Sequence, residues 1–189
     1  MNELLPIDFK KYSKEYAIEI KNIQEYFRVE FNLPIYLIYG TLLGCVRDNK
    51  FIIDDDDIDV AYLSNKTNEY DVKQEMLNIY KKLQEQELIT NNKRFIGQAW
   101  LYNPAKTMMV DLWTSWISEN NKFYCVNLNG GEFHKDSILP FAIGNLMDLP
   151  FYIPKNNTAL LQYWYGDWQI PLEKKSYPRR NNYYLPKFK

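Results

Sequence analysis

Five aspartates fall within six residues of this chain, at Asp54, Asp55, Asp56, Asp57 and Asp59. Like charges packed this closely oppose folding, so the segment must either face water or hold something positive. The apolar residues interleaved with the last two acids decide between these. In a strand, side chains alternate faces, so Asp57 and Asp59 point one way while Ile58 and Val60 enter a core. Two carboxylates a few ångströms apart on one face repel unless a divalent cation bridges them. An all-oxygen donor set favours Mg²⁺ or Mn²⁺. A calcium loop of the EF-hand type fits poorly, because counting from Asp54 its central glycine would stand where Asp59 does.

The rest of the chain supplies material for a core. Its 189 residues are 46% apolar and 16% aromatic, which fits one compact domain, residues 1–189. A net charge of −1 argues against whole-chain electrostatic binding to nucleic acid. Charge is uneven, however. Residues 171–189 carry six Lys or Arg against Glu173 alone, a basic tail of +5. Cys45 and Cys125, with His134, are too few for a disulfide scaffold or a closed zinc site. No apolar run approaches the roughly 20 residues that cross a bilayer. The opening residues contain no apolar signal core, so a cytoplasmic location is expected, at the inner face of a membrane if the basic tail and its tyrosines meet lipid.

Hydrophobic spacing orders the elements. Phe9, Tyr12, Tyr16, Ile20, Ile23 and Phe27 recur at helical steps within an N-terminal segment, 1–33, whose helix spans 8–31 and is ended by Asn32 and Pro34. Ile35 to Tyr39 reads as a buried strand, 41–47 as a short helix or turn, and Ile58 to Leu63 as a second strand. A helix over 69–88 is expected to bury Tyr70, Met76, Leu77, Tyr80 and Leu83. Phe95–Tyr102 and Thr107–Thr114 read as paired strands joined near Asn103-Pro104. Phe123–Leu128 reads as a further strand before a turn at Asn129-Gly130-Gly131, and Thr158–Tyr165 as a last helix. Tyr163, Trp164, Tyr165 and Trp168 are expected in the core, and His134 in an ordinary loop. This order predicts a small mixed α+β domain.

Two further features join the acids. Asp111 is a lone carboxylate in the apolar strand Met109-Val110-Asp111-Leu112-Trp113, costly to bury unless it lies beside Asp57 and Asp59 and shares their ion. Upstream, Gly40-Thr41 sits where a strand gives way to a helix, and backbone N–H groups there suit phosphate oxygens. Arg47 and Lys50 follow, able to offer positive charge. A Gly-Thr turn, Asp-x-Asp on a strand and Asp on a later strand form a phosphoryl- or nucleotidyl-transfer layout.

The stretch YGTLLGCVRDNKFIIDDDDIDVAYL, residues 39–63, resembles the signature of the LicD family. Its pattern is close to G-T-L-L-G-x-x-R, a short spacer, then I-P-W-D-D-D-I-D. Residues 161–171, LQYWYGDWQIP, resemble that family's terminal Tyr-Gly-Asp-Trp element. Ile53 and Asp54 depart from the pattern, standing where the family has Pro-Trp. The resemblance implies a nucleotidyltransferase-like fold, a small mixed sheet with packed helices. It implies an enzyme that moves a phosphocholine-like group from a CDP-linked donor, such as CDP-choline, to a glycan or glycolipid acceptor of lipopolysaccharide or capsule type. On this footing Asp57, Asp59 and Asp111 are catalytic and metal-ligating, with Asp111 the base. Gly40, Thr41, Arg47, Lys50, Asp55 and Asp56 serve the donor and its phosphates. A nucleotidyltransferase acting on a small molecule or protein, a glycosyltransferase with a DxD metal site and a non-catalytic assembly subunit are the alternatives. The basic tail is expected on the acceptor side.

Overall fold

The computed structural model describes residues 7–89, 97–103, 106–125 and 132–171. The first helix, α1 (Phe9–Phe31), opens on Asp8, whose carboxylate accepts the N–H groups of Lys10 and Lys11. It closes on Asn32 in the left-handed conformation (φ 53°), with Pro34 two residues beyond. Its buried stripe is Ala17, Ile20, Ile23 and Phe27. The strand β1 (Ile35–Leu37) follows and gives way almost at once to α2 (Tyr39–Asp48), because Tyr39 turns to φ 46°. A loop carrying the acids leads into β2 (Asp59–Leu63), so that Asp57 and Ile58 lie just before the strand.

The helix α3 (Glu69–Glu85) then crosses to β3 (Gln98–Tyr102) and β4 (Met109–Ile117). These are followed by β5 (Lys122–Cys125), β6 (Phe133–His134), a hairpin of β7 (Ala142–Leu146) and β8 (Leu149–Ile153), and α4 (Asn157–Tyr165). The main sheet runs β1-β2-β4-β5-β6, with β3 also paired to β4. Among the described residues only β2 and β4 are parallel, and every other strand pair is antiparallel. A parallel pair needs a long crossover, here made through α3 and β3. The result is the mixed α+β fold expected.

Alternation divides the sheet into two faces. On one, Phe27 of α1 stacks on Tyr62 at 6.1 Å, and Ile79 and Leu83 of α3 join the same core. Lys82 of α3 bridges to Glu30 of α1 at 2.7 Å. On the other face lie α2, α4 and the β7–β8 hairpin. Tyr39 meets Trp113 there, and α2 packs on β7 closely enough that a Cβ on Gly144 would stand 2.8 Å from Cys45 Sγ. Every residue of β2 is buried, as expected of a strand covered on both sides.

Some expectations are corrected. Tyr70 is 67% and Leu77 46% exposed; the buried stripe of α3 is Val72, Met76, Ile79 and Leu83. Those four recur at steps of four, three and four, and the two excluded residues lie off that line. The β7–β8 hairpin lacks an Asn-Gly or Asp-Gly signal. Its turn is Met147-Asp148, both with positive φ (53° and 66°), a geometry usually given to Gly or Asn. His134 forms part of β6 and accepts the Asp136 N–H. The residues 90–96, 104–105 and 126–131, with the turn at Asn129, and the basic segment from 172 onward lie outside the described residues. Trp164 and Trp168 are buried in the core as expected. Among the described residues no helix is long and apolar enough to cross a membrane.

Candidate active site

The site forms where β1 ends, α2 begins and β2 and β4 start side by side. The residue preceding α2, Ile38, has no side chain able to cap the helix. A distant carboxylate takes that place: the Gly40 N–H donates to Asp59 Oδ2 at 3.3 Å. In return the Asp59 N–H donates to Thr41 Oγ1 at 2.9 Å. The other carboxylate oxygen, Asp59 Oδ1, accepts the Trp113 indole N–H at 2.9 Å. Asp59 is thus held at both oxygens, and by uncharged donors. It is 7% exposed. Burial, with the charge of Asp57, pushes its carboxyl well above the ordinary carboxylate range, while the Trp113 hydrogen bond acts the other way.

Asp111 is the register partner of Asp59 across the parallel β2–β4 pair. Registered neighbours present their side chains to the same face, which brings together two acids 52 positions apart in the chain. Gln98 of β3 donates its amide N–H to Asp111 Oδ2 at 2.7 Å. Partial burial raises the Asp111 carboxyl to about 6; the Gln98 bond opposes this and Asp56 adds to it. Asp57, Asp59 and Asp111 each offer an oxygen, and these oxygens lie within 4.8 Å of one another. Asp55, Asp56 and Asp57 form a second such group. Three hard oxygens at that separation fit one divalent cation with ligand distances of about 2.0–2.4 Å. Among the described residues no Lys or Arg forms an ion pair with Asp59 or Asp111.

Close approach explains the Gly-Thr-Leu-Leu-Gly spacing. A Cβ on Gly40 would stand 2.6 Å from Asp55 Oδ2, and one on Gly44 would stand 2.3 Å from the Lys50 carbonyl oxygen. The two glycines, one helical turn apart, leave a bare strip on α2 against which the acidic loop lies. Tyr39, in its left-handed conformation, sets its ring edge-on to Trp113 (5.3 Å, 78°) and against Trp164 of α4 (4.8 Å). A bulky residue in that conformation is strained, and the aromatic packing holds it there.

The structure gathers Gly40, Thr41, Asp55, Asp56, Asp57, Asp59 and Asp111. The two expected basic residues follow on α2 and just beyond it. Arg47 lies two turns along α2 from Gly40, in an ion pair with Asp48 at 2.8 Å. Lys50 is exposed, just past the C-terminal end of that helix. Sequence reasoning missed Gln98, Trp113 and Tyr39. Trp113 is visible as the residue two beyond Asp111, hence on its face; Gln98 needs the β3–β4 register, which the sequence does not print.

The family model described as LicD/FKTN/FKRP, nucleotidyltransferase domain, matches residues 32–156. That span is about two thirds of the chain. The chain belongs to the LicD family. The LicD match starts at the cap of α1 and ends at the cap of α4, so it contains the whole acidic site and leaves out residues 161–171. No curated protein gives a significant match. LicD membership makes the chain a transferase and supports a phosphotransferase-like role in glycan modification.

Proposed function

We propose that the chain is a metal-dependent transferase that moves a substituted phosphoryl group, of the phosphocholine kind, from a CDP-linked donor to a hydroxyl of a bacterial surface glycan or its precursor. The convergence of Asp57, Asp59 and Asp111 carries this reading. Their carboxylates would hold Mg²⁺ or Mn²⁺, which when bound neutralises charge on the donor phosphates and on the leaving nucleotide. The chain's own residues do the rest. Trp113 and Gly40 fix both oxygens of Asp59, so the carboxylate keeps one orientation through turnover. Thr41 anchors the start of β2 through the Asp59 N–H. Gln98 holds one oxygen of Asp111 and leaves the other to accept the acceptor's proton. The acceptor oxygen bonds to the distal phosphorus of the donor, the bond to the bridging oxygen breaks, and CMP leaves.

CMP release from CDP-choline with Mg²⁺ is the test, with the chelated protein and Asp59→Asn as controls. Release that depends on both supports the reading. The family description favours one second reading, nucleotidyl transfer. Pyrophosphate release from a nucleoside triphosphate, with no CMP from any CDP donor, would establish that instead.

A further inference from the structure

A tryptophan completes a row across the sheet. Trp100 of β3 is the register partner of Asp111 on one side of β4, as Asp59 is on the other. All three therefore face the same way, spaced by about 4.8 Å from strand to strand. The Gln98–Asp111 hydrogen bond, from the residue two before Trp100, confirms that this side of β3 turns toward the acids. The two ends of the row differ. At the Asp59 end stand the N-terminus of α2 and the acidic loop. At the other end Trp100 is half-buried, and among the described residues its ring stacks on no other ring and its indole N–H meets no acceptor. Trp113, on the same face, is buried with its N–H committed to Asp59. A large apolar side chain left half-open beside a polar site loses burial energy that a ligand ring would restore.

We propose that Trp100 is the acceptor platform, with a pyranose ring of the glycan lying on its indole face. This rests on the transferase reading above. Donor phosphates belong at the cation end, with Asp59 and Gly40. The attacking hydroxyl must reach Asp111, so the ring that carries it belongs on the far side of Asp111, over β3. The apolar C–H face of a pyranose matches the electron-rich face of an indole.

The test uses saturation-transfer NMR on the full chain with Mg²⁺, with methyl glycosides of glucose, galactose and N-acetylglucosamine as sugar probes and CMP as the nucleotide probe. Trp100→Leu keeps apolar bulk without a ring; Trp100→Phe restores one. At least one glycoside is expected to bind the wild type through its ring C–H protons. Trp100→Leu should weaken that binding about three- to tenfold, and Trp100→Phe should recover most of it. CMP binding should be unchanged in both variants, each checked for an unchanged melting temperature. Weaker CMP binding with intact sugar binding would overturn the proposal in favour of a base-stacking tryptophan. Binding of no glycoside, or binding indifferent to the ring, would also overturn it. Failure of the transferase reading looks different: the wild type would neither bind CMP with Mg²⁺ nor release it from CDP-choline.

Discussion

The two faces of the sheet are built on opposite terms, and single strands belong to both. Val60 and Tyr62 of β2 turn toward α1 and α3, where Phe27 and Leu83 are fully buried among apolar neighbours. Asp59 and Ala61 of the same strand turn toward α2, where a buried carboxylate meets two further acids. The first face is packed mainly with apolar groups. The second holds groups that repel one another in the absence of a cation. Stability is concentrated on one side of β2 and chemistry on the other, so damage to each should read out differently.

The largest expected effect is on the acidic face. Asp59→Asn should cut turnover by about a thousandfold, judged from the loss of a metal-ligating carboxylate. Its melting temperature in chelator should hold or rise, because one of three crowded charges is gone. A marked loss of metal-free stability with activity retained would refute the separation of roles. Phe27→Ala should do the reverse. It should lower unfolding free energy by about 3–5 kcal/mol in denaturant titrations and leave the turnover of folded molecules unchanged.

Protonation sharpens the contrast. Asp111 sits at about 6, above its unfolded value of 3.8. The folded state therefore binds its proton more tightly than the unfolded state. Its contribution is present in full below about 4 and is lost as pH rises through 6. In chelator, the stability of wild type relative to Asp111→Asn should fall across that window by about 1–3 kcal/mol. A flat difference between pH 4 and 7 would place Asp111 in a more solvated setting than the structure gives it. The smallest effect is expected at the supporting groups. Trp113→Phe and Gln98→Leu should each weaken Mn²⁺ binding, measured by titration calorimetry, about tenfold. No change would mean that the carboxylates orient themselves.

Much of the acidic face is legible in the sequence because its signals are local. The alternation of Asp57 and Asp59 with Ile58 and Val60 announces the acid pair, although Asp57 falls in the loop just before β2, and the cost of burying Asp111 announces that it needs company. The partners of those acids are set by register, which is long-range. Nothing near Gln98 says that it will lie against Asp111, and nothing near Trp113 says that its N–H will meet Asp59. Arg47 and Lys50 are near Gly40 in sequence, and α2 sets them at its far end. Tyr70 and Leu77 mislead because apolar identity alone does not fix which of two helical stripes faces inward. The β7–β8 hairpin escapes notice because Met147-Asp148 adopts a turn that other residues usually advertise.

A site shared by Asp59 and Asp111 has no counterpart in the unfolded chain, where 52 positions separate its halves. Under the proposed function, any cation it takes up therefore acts on folding as well as on catalysis. A free ion at a hundred times its dissociation constant adds about 2.7 kcal/mol to the folded state. The costly face of the sheet would then become a source of stability whose strength follows ion supply. Scarcity of the ion would show first as a shrinking pool of intact protein, exposed to proteolysis, and only then as slower turnover in the molecules that survive.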